Sequence, residues 1–148
     1  RSAMLSIRSD PGLRDAPIRG FLIEEMASHG HEMIIGGVND RAFGPVVMLG
    51  MGGVFVEIFG DVAFRICPVT RGDAYDMLAS LKAAPLLNGA RGAAVAAIEL
   101  LIDTLMAIGG EQGLLMCEAE WIGELDINPV IVSERAVVAV DARIARRT

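Results

Sequence analysis

The stretch Gly123–Val132, GELDINPVIV, reads as a strand with polar residues set among apolar ones. Residues two apart in a strand share a face. Glu124, Asp126 and Asn128 therefore point one way, and Leu125 and Ile127 the other. Pro129 removes a ladder donor and interrupts the pairing. One reading is an amphipathic strand with a solvated face, ending in an Asn-Pro turn. A second reading depends on the next strand-like run, Ala136–Ile144, AVVAVDARI. There the face of Val137 and Ala139 ends in Asp141. A carboxylate closing an apolar run is costly unless it is paired, hydrated or metal-bound. A hairpin through Ser133 and Glu134 would bring Asn128 and Asp141 close at one end of a sheet. Amide and carboxylate oxygens are hard ligands and, with phosphate oxygens and water, suit Mg²⁺.

Working outward, five more strand candidates precede this region, the last two as the arms of one hairpin. They are Gly20–Met26 (GFLIEEM), His31–Val38 (HEMIIGGV), Pro45–Gly50 (PVVMLG) and the run Val54–Val69, which reads as a hairpin with Gly60-Asp61 at its tip. Asn39-Asp40 is read as a turn. Turns this short imply antiparallel neighbours, because parallel ones need long crossovers. Between these strands and the opening stretch the period becomes helical. Thr70-x-x-Asp73 resembles a capping box, with Ala74, Met77, Leu78 and Leu81 as the buried stripe and Pro85 as the stop. Ile98, Leu101, Ile102, Leu105 and Ile108 mark a second helix, with Glu99 and Asp103 on its other face and Gly109-Gly110 at its end. Residues 1–9 suit a helix end, and Asp10-Pro11-Gly12 a turn. The expected fold class is α+β: a mainly antiparallel sheet with helices packed on one face.

The composition narrows the function. The 148 residues suit one domain or a piece of a larger one, and 53% are apolar, which excludes a disordered chain. Net charge is −6, so there is no basic face for nucleic acid. The terminal ARIARRT is expected to be a frayed, solvated tail. No apolar run is read as long enough to span a bilayer, and the N-terminus lacks the features of a signal peptide, so the expected location is cytoplasmic with no membrane partner. Cys67 and Cys117 sit in apolar settings and are expected to be buried, reduced thiols.

Other clusters are less specific. Gly50, Gly52 and Gly53 in LGMGGVFVE match neither a dinucleotide fingerprint nor a Walker loop. They suit a tight turn, or a place where backbone approaches a ligand closely. IEEMASHGHE (Ile23–Glu32) holds Glu24, Glu25, Glu32, His29 and His31. His-x-His offers two metal ligands without a third, so a surface loop is the plainer reading. Arg65, Arg71 and Arg91 are scattered cations that could meet phosphate. Ser28-His29 and Cys67-Pro68 form no hydrolase pattern.

Taken together, GFLIEEM, HEMIIGGVNDRAFGPVVMLGMGGVFVEIFGDVAFRICPVT, PLLNGARG, ELDINPV and AVVAVDARI resemble, in order and spacing, the ATP-grasp domain of NDP-forming acyl-CoA synthetases. That family includes the β subunit of ADP-forming acetyl-CoA synthetase and, more distantly, of succinyl-CoA synthetase. The likeness covers residues 20–144. It implies the C-terminal subdomain of an ATP-grasp fold, with 1–19 as a lead-in and 145–148 as a tail. It implies ATP/ADP and Mg²⁺ as ligands, with CoA bound on other domains. The backbone at Glu24, Glu25 and Met26 would hold adenine, and Glu32 the ribose hydroxyls. Asn128 and Asp141 would be the Mg²⁺ ligands. Asp126 would be the catalytic acid beside a phosphorylated histidine. The partners implied are CoA-binding and phosphohistidine domains, or an α subunit. The phosphate-contacting lysines and shuttle histidine of the N-terminal subdomain are not in this stretch, so the chain alone is expected to be inactive. A homodimer is expected as a possible consequence of the exposed face. Two other functions share these residues: a regulatory nucleotide-binding module of a protein acetyltransferase, and a non-catalytic interaction domain. The residues specify neither the acyl substrate nor adenine over guanine.

Overall fold

The computed structural model describes residues 2–13, 16–53, 60–89 and 96–147. The described strands are β1 (His31–Asp40), β2 (Gly44–Met51), β3 (Val62–Ile66), β4 (Ile122–Val132), β5 (Val137–Ala139) and β6 (Ala142–Arg146). They form one sheet in the order β3-β2-β1-β4-β5, with β6 also paired to β4. Every pairing is antiparallel. The helices are α1 (Ser2–Ser9), α2 (Arg71–Ser80), α3 (Ala84–Leu87), α4 (Ile98–Gly109) and α5 (Leu114–Cys117), with a 3₁₀ turn at Pro11–Leu13. The α+β class, with helices on one side of an antiparallel sheet, agrees with the sequence reading.

β1 carries three consecutive buried apolar residues, Met33, Ile34 and Ile35, and Met33 and Ile35 meet Val47, Leu49, Leu125, Val130 and Val132 in a single core. From the helical layer come Ala74, Met77, Leu101, Ile102 and Leu105, all fully buried. α4 lies on β2 and β5, α5 on β1 and β2, and α2 on β3 and α4. Burying side chains of this size contributes roughly 1.5–3 kcal/mol each, which is why the helical stripe at 3.6-residue spacing stays on the sheet. By length and composition Ile98–Cys117 is apolar enough to cross a membrane, which corrects the expectation that no run qualifies. In the fold the helix stops at Gly109, and its apolar face is buried in the core.

The capping box at Thr70 forms in both directions: the Thr70 hydroxyl accepts from the Asp73 N–H, and the Asp73 carboxylate accepts from the Thr70 N–H. The Thr70 hydroxyl, which also donates to the Asp73 carboxylate at 2.6 Å, and then the Thr70 N–H hold the Asp73 carboxyl below its ordinary pKa. α2 ends at Ser80, earlier than Pro85. Pro85 instead opens the short helix α3, where its missing N–H is an orphan donor in any case. Arg71 joins α2 to α4 by bonding Glu99 at 2.8 Å and also Asp103.

Several expectations change. Gly20–Met26 is not a strand: both edges of β1 are already taken by β2 and β4, and Leu22, Ile23 and Met26 are 82%, 80% and 89% exposed. The Asn39-Asp40 turn falls slightly later, at residues 41–43, where the Asp40 carboxylate accepts from the Ala42 and Phe43 N–H groups. Asp61, read as part of a hairpin tip, has a buried side chain. It is 4% exposed and anchors the end of α2. β3 pairs with β2, and the first arm of the expected hairpin, residues 54–59, lies outside the described residues. So does Arg91. The basic C-terminal run is not frayed, because Ala142–Arg146 is strand β6. The Arg146 guanidinium lies 4.8 Å from the Trp121 ring centre. Cys67 is buried, and burial pushes its thiol pKa up to about 11. Cys117 is exposed, contrary to expectation.

Gly52 explains part of the glycine cluster. Its N–H donates to the Glu32 carbonyl at 2.7 Å. A Cβ there would lie 2.9 Å from that same backbone. The close approach is therefore to β1, at the residue that carries Glu32. Gly53 follows with φ +61, a conformation that favours glycine.

Candidate functional site

The site is built where the alternation of β4 slips. Ile35 lies opposite Ile127 and Met33 opposite Val130, so β4 takes three steps where β1 takes two. This is a β-bulge at Asn128-Pro129. Leu125 is on the core side before the bulge, and Val130 and Val132 are on it after. Away from the helices, the outer face carries Glu124, Asp126 and Asn128, and then Pro129 and Ile131. The bulge thus turns an acidic, amide-bearing half-strand into an apolar one on the same face. Proline is tolerated there because a bulge leaves one residue outside the ladder. The Asn128-Pro129 peptide is cis.

The returning chain is interrupted at the same level. The Val140 N–H donates to the Pro129 carbonyl at 3.0 Å, and the Asn128 N–H donates to the Asp141 carbonyl at 3.1 Å. Asn128 and Asp141 are therefore neighbours joined through the main chain. The connection at residues 133–136 is the expected hairpin, closed by Ser133 and Ala136. Both Asn128 and Asp141 are exposed, and one Asp141 carboxylate oxygen accepts from the Ala142 N–H at 2.9 Å.

A cleft of about 680 Å³ opens beside this pair. One wall is the segment from Glu24 to Gly30 together with Glu32. The other is Pro129, Ile131 and Val138–Val140. Glu24, Glu25, Met26 and Glu32 thus share one cleft. Asn128 and Asp141 adjoin it through their neighbours Pro129 and Val140. Among the described residues, the backbone of Glu24, Glu25 and Met26 makes no hydrogen bond to other main chain. Asp126 stands one row away, between Gly36 on β1 and Arg143 on β6. The sequence reading did not single out Arg143. Its signal was the position two residues after Asp141, where the two side chains share a face.

The donor set fits Mg²⁺. It combines an amide oxygen and a carboxylate beside an open cleft. No group of three or more His, Cys, Asp or Glu among the described residues could hold a metal by itself. Mg²⁺ does not need such a cage, since it keeps waters and takes phosphate oxygens. The same observation gives no support to a transition-metal site at His29 and His31.

A family model described as an ATP-grasp domain matches residues 2–145. This chain belongs to the ATP-grasp domain family. Among curated ATP-grasp relatives, the β subunit of acetate–CoA ligase (ADP-forming) I from Pyrococcus furiosus is 45% identical over 129 residues, covering 87% of this chain and 54% of the relative. Two structures of the dinucleotide-forming acetyl-coenzyme A synthetase 1 from Ca. Korarchaeum cryptofilum are also similar. The complex with coenzyme A and Mg-AMPPCP, its phosphohistidine segment pointing towards the nucleotide site, is 45% identical with a TM-score of 0.74, covering 82% of this chain and 55% of that one. The apo form is 41% identical with a TM-score of 0.81, covering 98% and 66%. This ATP-grasp chain spans about half the length of the curated relatives it matches first.

Proposed function

We propose that this ATP-grasp chain is the nucleotide- and magnesium-binding part of an NDP-forming acyl-CoA ligase. The observation that carries the reading is the main-chain pairing of Asn128 with Asp141 at the edge of the cleft whose other wall is Glu24–Glu32. The backbone of Glu24–Met26 would hold the base, and the Glu32 carboxylate would accept from the ribose hydroxyls. Asn128 and Asp141 would hold Mg²⁺, which when bound neutralises and orients phosphate oxygens. Asp126 would orient the histidine that carries the phosphoryl group. Placed positions and charge suffice for such transfer, because it asks little covalent chemistry of the protein.

The net reaction is ATP + carboxylic acid + CoA ⇌ ADP + phosphate + acyl-CoA. The supporting relatives are a ligase β subunit and an acetyl-coenzyme A synthetase bound to CoA and a nucleotide analogue. On this reading residues 20–144 form the subdomain, with 1–19 leading in and 145–148 trailing. CoA-binding and phosphohistidine domains, or an α subunit, complete a soluble cytoplasmic enzyme. The exposed side chains of Leu22, Ile23 and Met26 would be covered by the rest of that enzyme or, in the chain alone, by a second copy.

The test is acyl-CoA formation by the full-length protein carrying this chain, followed with acetate, ATP, Mg²⁺ and CoA. The expected result is acetyl-CoA with ADP and phosphate in equal amounts, and none from the 148-residue chain alone. Product as AMP and pyrophosphate, or turnover by the chain alone, would overturn the reading.

A further inference from the structure

Resting on the nucleotide reading above, we infer that Arg143 is a phosphate-binding residue of the same site, contacting the nucleotide's phosphates beyond the first. The register places Arg143 directly opposite Asp126, and directly opposed residues of paired strands share a face. Asn128 and Asp141 form the adjacent row. The next row inward, Ile127 and Ala142, belongs to the other face. The outer face therefore presents, in order from the cleft, the apolar wall at Pro129 and Val140, the Asn128–Asp141 row and the Asp126–Arg143 row. Rows two residues apart are about 7 Å apart along the strands. A nucleotide with its base in the cleft and its phosphates over Asn128 and Asp141 would reach Arg143 with its outer phosphates.

Charge requires a cation at that point. Glu124, Asp126 and Asp141 all lie on this face, and a phosphate chain running towards Asp126 meets like charge. Of the two basic residues in β4–β6, Arg146 is engaged by Trp121. Arg143 is exposed and in no ion pair among the described residues. On β1 the neighbour of Asp126 is Gly36, which adds no side chain to crowd the row. A planar guanidinium can fork onto two phosphate oxygens, whereas an ammonium supplies only a point charge.

The test measures ATP, ADP and AMP affinities by titration calorimetry on the full-length protein carrying this chain, unaltered and as Arg143→Gln and Arg143→Lys. Circular dichroism checks that the exposed substitutions leave the fold intact. ATP and ADP affinities are expected to fall roughly tenfold to a hundredfold in Arg143→Gln. AMP affinity should stay within about twofold, and Arg143→Lys should fall between. Equal losses for all three nucleotides would make Arg143 a merely structural partner of Asp126 and overturn the inference, as would unchanged ATP affinity. If the unaltered protein binds none of the three, the proposed function fails first and this inference falls with it.

Discussion

Replacing Asp141 with alanine is expected to reduce Mg²⁺-dependent ATP binding by more than roughly a hundredfold. Loss of even an outer partner of a metal ligand weakens a site by about 10–100-fold, and Asp141 is proposed as a direct ligand. The side chain is exposed. Its one hydrogen bond from the fold is local, to the Ala142 N–H. Stability should therefore stay within about 0.5 kcal/mol of the unaltered protein. Calorimetry of Mg-ATP binding, beside a urea melt, checks both halves. Unchanged affinity with an intact fold would remove Asp141 from the site.

The second large effect is on stability. Asp61→Ala should destabilise the fold by about 3 kcal/mol. The Asp61 carboxylate accepts from the Lys82 N–H at 2.8 Å and from the Ala83 N–H at 2.9 Å. Both donors would lose their partner; the Ala83 N–H is buried and the Lys82 N–H part-buried, and an unsatisfied buried donor costs about 1–3 kcal/mol. Asp61→Asn keeps one acceptor oxygen and should lose less. Urea unfolding monitored by Trp121 fluorescence gives the values. A loss below about 1 kcal/mol in Asp61→Ala would mean that water replaces the carboxylate.

Asp61 also shows where the sequence stops being legible. Gly-Asp between two apolar runs has the chemistry of a turn, and nothing local says that residues 82 and 83 will arrive over it. The sheet and helices were readable because their signals are periodic and local: the capping box at Thr70 and the stripe from Ile98 to Ile108 need only their own neighbours. Gly20–Met26 has strand-like residues, but a strand is defined by a partner, and β1 already has two. The C-terminal arginines looked solvated by charge alone. Their pairing with β4 depends on register across the bulge, which composition does not carry. At the site, the adjacency of Asn128 and Asp141 followed from counting across a short hairpin. Arg143 was missed because its meaning depends on the residue opposite it. Cys117 lies in an apolar run, but its short helix turns the thiol outward.

The most direct measurement uses Mn²⁺ in place of Mg²⁺. With ATP present, paramagnetic broadening of assigned NMR signals reports which groups lie nearest the ion. The proposed site predicts that the Asn128 side-chain amide and the Asp141 and Ala142 backbone amides broaden first, with the backbone amides of Glu24–Met26 shifting as the base enters the cleft. Broadening centred on the His29 and His31 rings, with Asn128 and Asp141 unaffected, would contradict it.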